Sequence, residues 1–207
     1  MNRRPLGCLL EIAETLVLTI IIFLAIQTFV AQPYRVQQES MRTTLEPDEY
    51  VLVDKITPNF DDYSRGDIVV FNPVDRGESC SEPPLEQQDG EPPFIKRVIG
   101  QPGDRVEIRD GRVFINDTRL AEPYVLGGAT SGGIEEGWTV QPDRLFVMGD
   151  NRTNSTDSRV FGPICQADVI GRAWLRYWPL NTIGILPTPR YNVPAASVQP
   201  TVSPSAP

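Results

Sequence analysis

A mainly β domain behind a single membrane-spanning helix is the fold class the sequence predicts, and three observations carry that expectation. Residues 16–31 contain no charged side chain, and with Ile12 and Ala13 they supply roughly the 17 to 20 apolar residues that a helix needs to cross ~30 Å of hydrocarbon. Beyond residue 31 the chain turns into short β-branched runs separated by Gly, Pro, Asp and Asn. No long stretch with helical apolar periodicity follows.

The apolar segment is read as an uncleaved anchor. Arg3 and Arg4 precede it, so the positive-inside rule puts the N-terminus in the cytoplasm and the rest of the chain outside. A cleaved secretory signal needs small residues three and one positions before the cut. A cut after Ala31 would put Phe29 at the first of these positions, and a cut after Ala25 would put Phe23 there. The stretch is apolar all round, which argues against a core helix with one buried face. The expected organisation is a cytoplasmic start (1–11), an anchor (12–31), an extracytoplasmic β domain (32–186) and a tail (187–207).

Within the β domain, strands are expected at YVLVDK (50–55), DIVVFN (67–72), FIKRVIG (94–100), DRVEIRDGRVFIND (104–117), RLFVMGD (144–150) and DVIGRAWLRYW (168–178). Asp110-Gly111 between two such runs signals a two-residue hairpin. Residues 73–93 are acidic and rich in proline and glycine, which reads as a loop between strands. The tail is low-complexity Pro/Ser/Ala/Val and is expected to be disordered.

Composition narrows the chemistry. Lys+Arg number 19 against 27 Asp+Glu, a net charge of −8, so nucleic acid is not an expected partner. There is no histidine. That removes Ser-His-Asp and Cys-His catalysis and most zinc-ligand sets, and leaves lysine, carboxylate, tyrosine or cysteine for acid-base work. The three cysteines, Cys8, Cys80 and Cys165, are too few for a cluster. Cys8 precedes the anchor, so Cys80 and Cys165 could pair only with each other, and two free thiols are expected. No metal and no cofactor are expected.

Only two lysines occur, Lys55 and Lys96, in a chain that otherwise uses arginine for positive charge. A neutral lysine amine can act as the general base for a serine, whereas a guanidinium stays protonated. Lys96 sits among Phe94, Ile95, Val98 and Ile99, the apolar surroundings such a base needs, with Arg97 directed to the opposite face by strand alternation. Lys55 is the expected ordinary surface lysine. Ser40, where the extended segment 34–38 meets a turn, is a candidate nucleophile whose own N–H would help to hold an oxyanion; read singly it is a loop serine or helix cap. The loop MGDNRTNSTDSRVFGPI (148–164) is dense in hydrogen-bonding groups suited to holding a buried amine. Its acidic residues do not follow the EF-hand spacing.

The segments ESMRTTL, RGDIVVF, FIKRVIGQPGD and GDNRTNSTDSRVFGPI, in this order behind an anchor, resemble the type I signal peptidases, membrane-bound serine proteases with a Ser/Lys dyad. The resemblance covers most of residues 32–178. It implies coiled antiparallel β-sheets, Ser40 as nucleophile and Lys96 as general base. Ser155 matches a serine that orients the lysine amine, Asp157 and Arg159 a supporting ion pair, and Arg97 and Asp150 a second pair. The implied substrate is the signal peptide of an exported preprotein, bound extended with small side chains in shallow pockets. Tyr34, Val36, Met41, Leu45, Phe94 and Ile95 would line those pockets. The implied setting is the bacterial cytoplasmic membrane, with the lipid bilayer and the secretion translocon as neighbours. Trp174, Tyr177 and Trp178 would rest at the lipid interface or belong to the core of a last strand. One departure stands out: many members have a serine or glycine two residues before the nucleophile, and here it is Gln38, so either its amide donates to the oxyanion or the Ser40 N–H works with less help.

Two other readings compete. A self-cleaving, repressor-type Ser/Lys protease would be cytosolic with a DNA-binding domain, against which the anchor and the charge speak. An anchored β domain that binds a partner would keep the fold without the chemistry.

Overall fold

The runs IVVF and FIKRVIG are apolar or buried at consecutive positions because their strands are covered on both faces. The computed structural model describes residues 4–25, 27, 31–56, 62–73, 79–81, 92–125, 130, 137–189, 191 and 193, the side chains of 4–10 and 25 excepted. In it β3 (Ile68–Phe71) is buried throughout, and β4 (Phe94–Gly100) and β9 (Arg144–Met148) are buried after their first residue. Burying a Val, Ile or Leu side chain contributes about 1.5–3 kcal/mol, so these central strands hold much of the domain's stability.

The remaining strands are β1 (Ala31–Arg35), β2 (Tyr50–Asp54), β5 (Arg105–Arg109), β6 (Arg112–Ile115), β7 (Thr118–Arg119), β8 (Trp138–Thr139), β10 (Ile164–Cys165), β11 (Val169–Trp178) and β12 (Gly184–Ile185). They form an eight-stranded sheet in the order β1-β2-β11-β3-β4-β9-β10, with β12 added to β11, and a four-stranded sheet β7-β6-β5-β8. Both are antiparallel. Register shifts in β4 and β11 mark where the large sheet bends. The fold is therefore mainly β and built from curled antiparallel sheets, as expected. Asp110 and Gly111 close the β5–β6 hairpin with φ of 50° and 69°, the geometry that an Asp-Gly pair favours.

Three apolar clusters fill the space. One, with Val36, Met41, Leu45, Val51 and Ile95, lies under the segment that follows β1. A second, with Ile99, Val106, Ile115, Phe146 and Met148, joins the two sheets. A third, with Val69, Phe71, Val98 and Val147, covers the opposite face of β3, β4 and β9.

The structure differs from several expectations in its boundaries and packing. The first helix, α1, runs Arg4–Ala25, so it starts before residue 12, and Ala31 already belongs to β1. Among the described residues no helix is long and apolar enough to cross a membrane. The tail does not leave the domain at residue 187. Tyr191 and Val193 pack on the cluster between the sheets, and the Tyr191 hydroxyl donates to that of Tyr124 at 3.0 Å. The rest of the expected disorder, 190, 192 and 194–207, lies outside the described residues, as do 74–78 and 82–91 of the expected loop. Trp174 and Trp178 are exposed rather than core residues, and Tyr177 packs against Tyr50 with ring centroids 6.0 Å apart.

Cys80 and Cys165 form a disulfide, not two free thiols. The sequence showed no local sign of it because the pairing depends on the β3–β4 loop reaching β10, across 85 residues of chain. Closing so long a loop in the unfolded chain is entropically costly. Replacing both residues by serine is expected to destabilise the protein by about 2–4 kcal/mol, measured as a lower urea midpoint for the full chain in detergent. An unchanged midpoint would mean that the bridge constrains nothing.

Candidate active site

Ser40 lies in one turn of 3-10 helix, Glu39–Met41, entered from an extended Gln38 with φ −113° and ψ 156°. Met41 and Leu45, both fully buried, root this turn in the core, and Leu45 N–H donates back to the Met41 carbonyl at 2.9 Å. Thr43 is held at φ 88°, a costly conformation for a β-branched residue, while its hydroxyl donates to the Tyr124 carbonyl at 2.9 Å.

Lys96 comes from the middle of β4 and is 1% exposed. Its Nζ lies 2.7 Å from Ser40 Oγ and 5.2 Å from the centre of the Phe94 ring. Burial pushes the amine down from its ordinary value to about 8, against the opposing pull of the Asp157 charge. Lys55, in contrast, is half-buried next to β2.

Arg97 takes the other face of β4, as strand alternation requires. It is fully buried, forks onto Asp150 at 2.8 and 2.7 Å, donates to the Gly66 carbonyl at 2.7 Å and stacks 4.1 Å over the Tyr124 ring. Asp150 also accepts from Thr44 Oγ1 at 2.5 Å, which ties the strand of Lys96 to the turn of Ser40. Asp157 caps the short helix α2 (Ser158–Phe161) and accepts both arms of the Arg159 fork at 2.8 Å. Burial alone would raise the Asp157 carboxyl. The Arg159 guanidinium and the Gly149 N–H, 3.0 Å away, hold it below its ordinary value instead.

Ser155 stands apart from the expectation. Its Oγ is buried and makes no hydrogen bond to the Lys96 amine, and it lies close enough to Asp157 to help hold that carboxyl down. It packs against Gly149, where an added Cβ would sit 2.3 Å from Ser155 Oγ and 2.5 Å from the Ser40 carbonyl oxygen. The sequence did not single out Thr44, Glu122 or Tyr124. The last two close the network by receiving Arg152 and flanking Arg97, and no spacing in the chain foretells those contacts.

A shallow groove next to the segment that leads into the Ser40 turn is lined among others by Tyr34, Val36, Gln38, Pro92, Pro93 and Ile95. Met41 and Leu45 lie in the core beneath it and Phe94 packs edge-on against Phe71, so these three expected pocket residues are not in its wall. Gln38 is in the wall, with no side-chain cap bond to the turn.

A serine hydroxyl stands against a buried lysine amine in a mainly β protein without histidine, an arrangement that suits a serine hydrolase with an amine as base. The comparisons name the family. The family model described as "Signal peptidase, peptidase S26" matches residues 9–178. A signal peptidase I of Leptolyngbya laminosa is 40% identical over 185 residues, 88% of this chain and 87% of the relative. A probable signal peptidase I-2 of Synechocystis is 37% identical, over 88% of this chain and 79% of the relative. The solved structure of a signal peptidase I from Enterococcus faecalis V583 aligns with a TM-score of 0.40 and 29% identity, over 54% of this chain and 97% of that one. The chain belongs to the signal peptidase family, peptidase S26.

Gly149 is the tightest point of the site. Gly149→Ala is expected to displace the Ser40 carbonyl and lower kcat/KM about 10-fold or more, while the melting temperature shows that the protein stays folded. Wild-type kcat/KM in a folded variant would show that the approach is not needed.

Proposed function

We propose that Ser40 and Lys96 are the nucleophile and general base with which this serine endopeptidase removes signal peptides from exported preproteins. The contact of 2.7 Å between Lys96 Nζ and Ser40 Oγ carries the assignment. In its charged form the amine donates to the hydroxyl. Once neutral it accepts the hydroxyl proton as Ser40 Oγ attacks the scissile carbonyl carbon. The oxyanion that forms is held by the Ser40 N–H, with the Gln38 amide as side-chain donor. The protonated amine then gives its proton to the leaving amine nitrogen, the C–N bond breaks, and an acyl-enzyme remains on Ser40. Water, deprotonated by the same amine, releases the signal peptide with a free carboxylate.

The groove supports an extended substrate. Among the described residues the second edge of β4 is unpaired over Phe94, Ile95 and Lys96, because pairing with β9 starts at Arg97. A peptide strand inserted there adds to the sheet beside residues 36–38, and the walls formed by Tyr34, Val36 and Ile95 suit small side chains. Asp157 with Arg159 and Asp150 with Arg97 act as supports, and Ser155, buried against Gly149, is the serine assigned to orient the amine. The uncharged stretch 16–30, between Arg3 and Arg4 on one side and β1 on the other, supports a single-pass anchor with the catalytic domain outside the cytoplasm. The disulfide fits an oxidising compartment. Exposed Trp174, Trp178, Leu180, Ile183 and Ile185 form an apolar rim suited to the bilayer surface, near which a translocon would deliver substrate.

Cleavage of a preprotein with an Ala-X-Ala site tests the assignment. Ser40→Ala and Lys96→Arg are expected to lose cleavage, since an arginine takes no proton, and full activity in either would sink that role. With Lys96 at about 8, the neutral base is the minor form below that pH. Wild-type kcat/KM should therefore climb about tenfold per pH unit below the midpoint and level off above it. A flat profile between pH 6 and 10 would exclude the lysine base.

A further inference from the structure

The turn that carries Ser40 is gripped by one asparagine through two consecutive carbonyls. Asn151 donates from its backbone N–H to the Ser40 carbonyl at 2.9 Å and from Nδ2 to the Glu39 carbonyl at 3.2 Å. The Glu39 carbonyl can only accept, which assigns the amide nitrogen to that side, and Thr153 Oγ1 donates to Asn151 Oδ1 on the other at 3.2 Å. A second asparagine fixes the neighbouring side chain, with Asn154 Nδ2 3.3 Å from Glu39 Oε2. The Glu39 carbonyl also receives the Arg42 N–H at 3.1 Å, the bond that closes the 3-10 turn.

The Glu39 carbonyl and the Ser40 N–H belong to the same peptide unit. That unit is planar and trans, so its N–H points opposite to its C=O. A donor that fixes the carbonyl therefore fixes the direction of the N–H on the other edge. Hydrogen bonding to the carbonyl also polarises the amide and strengthens what its N–H can donate, by about 10–30% per bond. The Ser40 N–H is the group assigned above to the oxyanion, and Asn151 sits on the far side of the peptide from it.

We infer that Asn151 is a positioning residue for the oxyanion donor: its side chain aims and polarises the Ser40 N–H through the Glu39 carbonyl. This rests on the reading of Ser40 as nucleophile. The effect is confined to the tetrahedral state, where charge sits on the oxygen facing that N–H, and leaves ground-state binding alone. Lys96 and its proton affinity are not involved, because Asn151 makes no contact with the amine.

The test uses the full chain in detergent with a fluorogenic Ala-X-Ala peptide, a peptide aldehyde that forms a tetrahedral adduct with a serine, and the cleaved product peptide. Asn151→Ala removes the side-chain bond and keeps the backbone one. We expect kcat to fall about 5- to 20-fold, a fraction of the 10²–10³ that loss of an oxyanion donor costs. KM and the midpoint of the pH profile should stay unchanged. Affinity for the aldehyde should fall by a similar factor and that for the product should not. Asn151→Asp, nearly isosteric, turns an acceptor toward the Glu39 carbonyl and should be slower still. It also keeps the test open if the alanine variant folds poorly. Wild-type kcat in both variants, equal losses for aldehyde and product, or an aspartate variant faster than the alanine one would each overturn the inference. Ser40→Ala separates the two readings. If it keeps cleavage, the nucleophile assignment fails first; if it is inert while Asn151→Ala is fully active, only the role of Asn151 falls.

Discussion

Removing one lysine amine from water is the constraint on which the rest of the site depends. An amine at about 8 instead of its ordinary value above 10 binds its proton less tightly in the folded protein than in the unfolded chain. The unfolded state then holds more protons between pH 8 and about 10.5, so stability rises across that window and the burial penalty is felt in full below it. At neutral pH that penalty is about 3 kcal/mol, a sizeable share of the 5–15 kcal/mol that separates folded from unfolded states. The neighbouring charge of Asp157 acts the other way. Its pairing with Arg159 and the Gly149 N–H keeps that charge engaged elsewhere, so desolvation prevails at Lys96.

A lysine buried on one face of β4 needs a strand that cannot move, and the opposite face supplies it. Arg97 holds Asp150 with two bonds, and Asp150 holds Thr44, so one buried carboxylate ties the base strand, the polar loop and the serine turn together. Such a pair adds little net stability against a well-packed apolar alternative, but removing one partner strands a charge in the interior. It serves geometry more than stability. The same logic explains why arginine fills every other buried cationic position of this network: a guanidinium stays charged when desolvated and forks onto carboxylates, whereas an ammonium gives up its proton. For the role proposed for Lys96 the second behaviour is the useful one.

How much of this was legible varied with how local the signal is. β2, β3, β4, β9, β11 and the β5–β6 hairpin lie within the runs read as strands, since β-branched repeats and an Asp-Gly turn act over a few neighbours. The two-residue strands β7, β8, β10 and β12 are too short to show any period. The Cys80–Cys165 bridge and the docking of Tyr191 on Tyr124 depend on loops meeting in space, which residue patterns do not encode. Ser40 and Lys96 were singled out by elimination, with no histidine and two lysines, and by resemblance. Their contact spans 56 residues and was not readable from either stretch alone. The pocket residues fared unevenly. Tyr34, Val36 and Ile95 line the groove, while Met41 at the end of the 3-10 turn and Leu45 in the bend after it point into the core.

The groove itself is a consequence of where one strand stops. β9 pairs with β4 only from Arg97 onward, because Gly149 and Asp150 turn the chain away to make the loop that serves the site. The edge left bare over Phe94, Ile95 and Lys96 is a hazard in any sheet, since unpaired backbone invites other chains. Here its length is limited at both ends. Pro92 and Pro93 have no N–H to offer on one side, and β9 closes the other. The bare edge is thus too short for stable pairing with an arbitrary strand, yet it lies beside a serine whose carbonyl and preceding peptide are already held. Under the proposed reading, a segment that is extended already, with side chains small enough for the groove, gains more from this edge than it loses in being ordered.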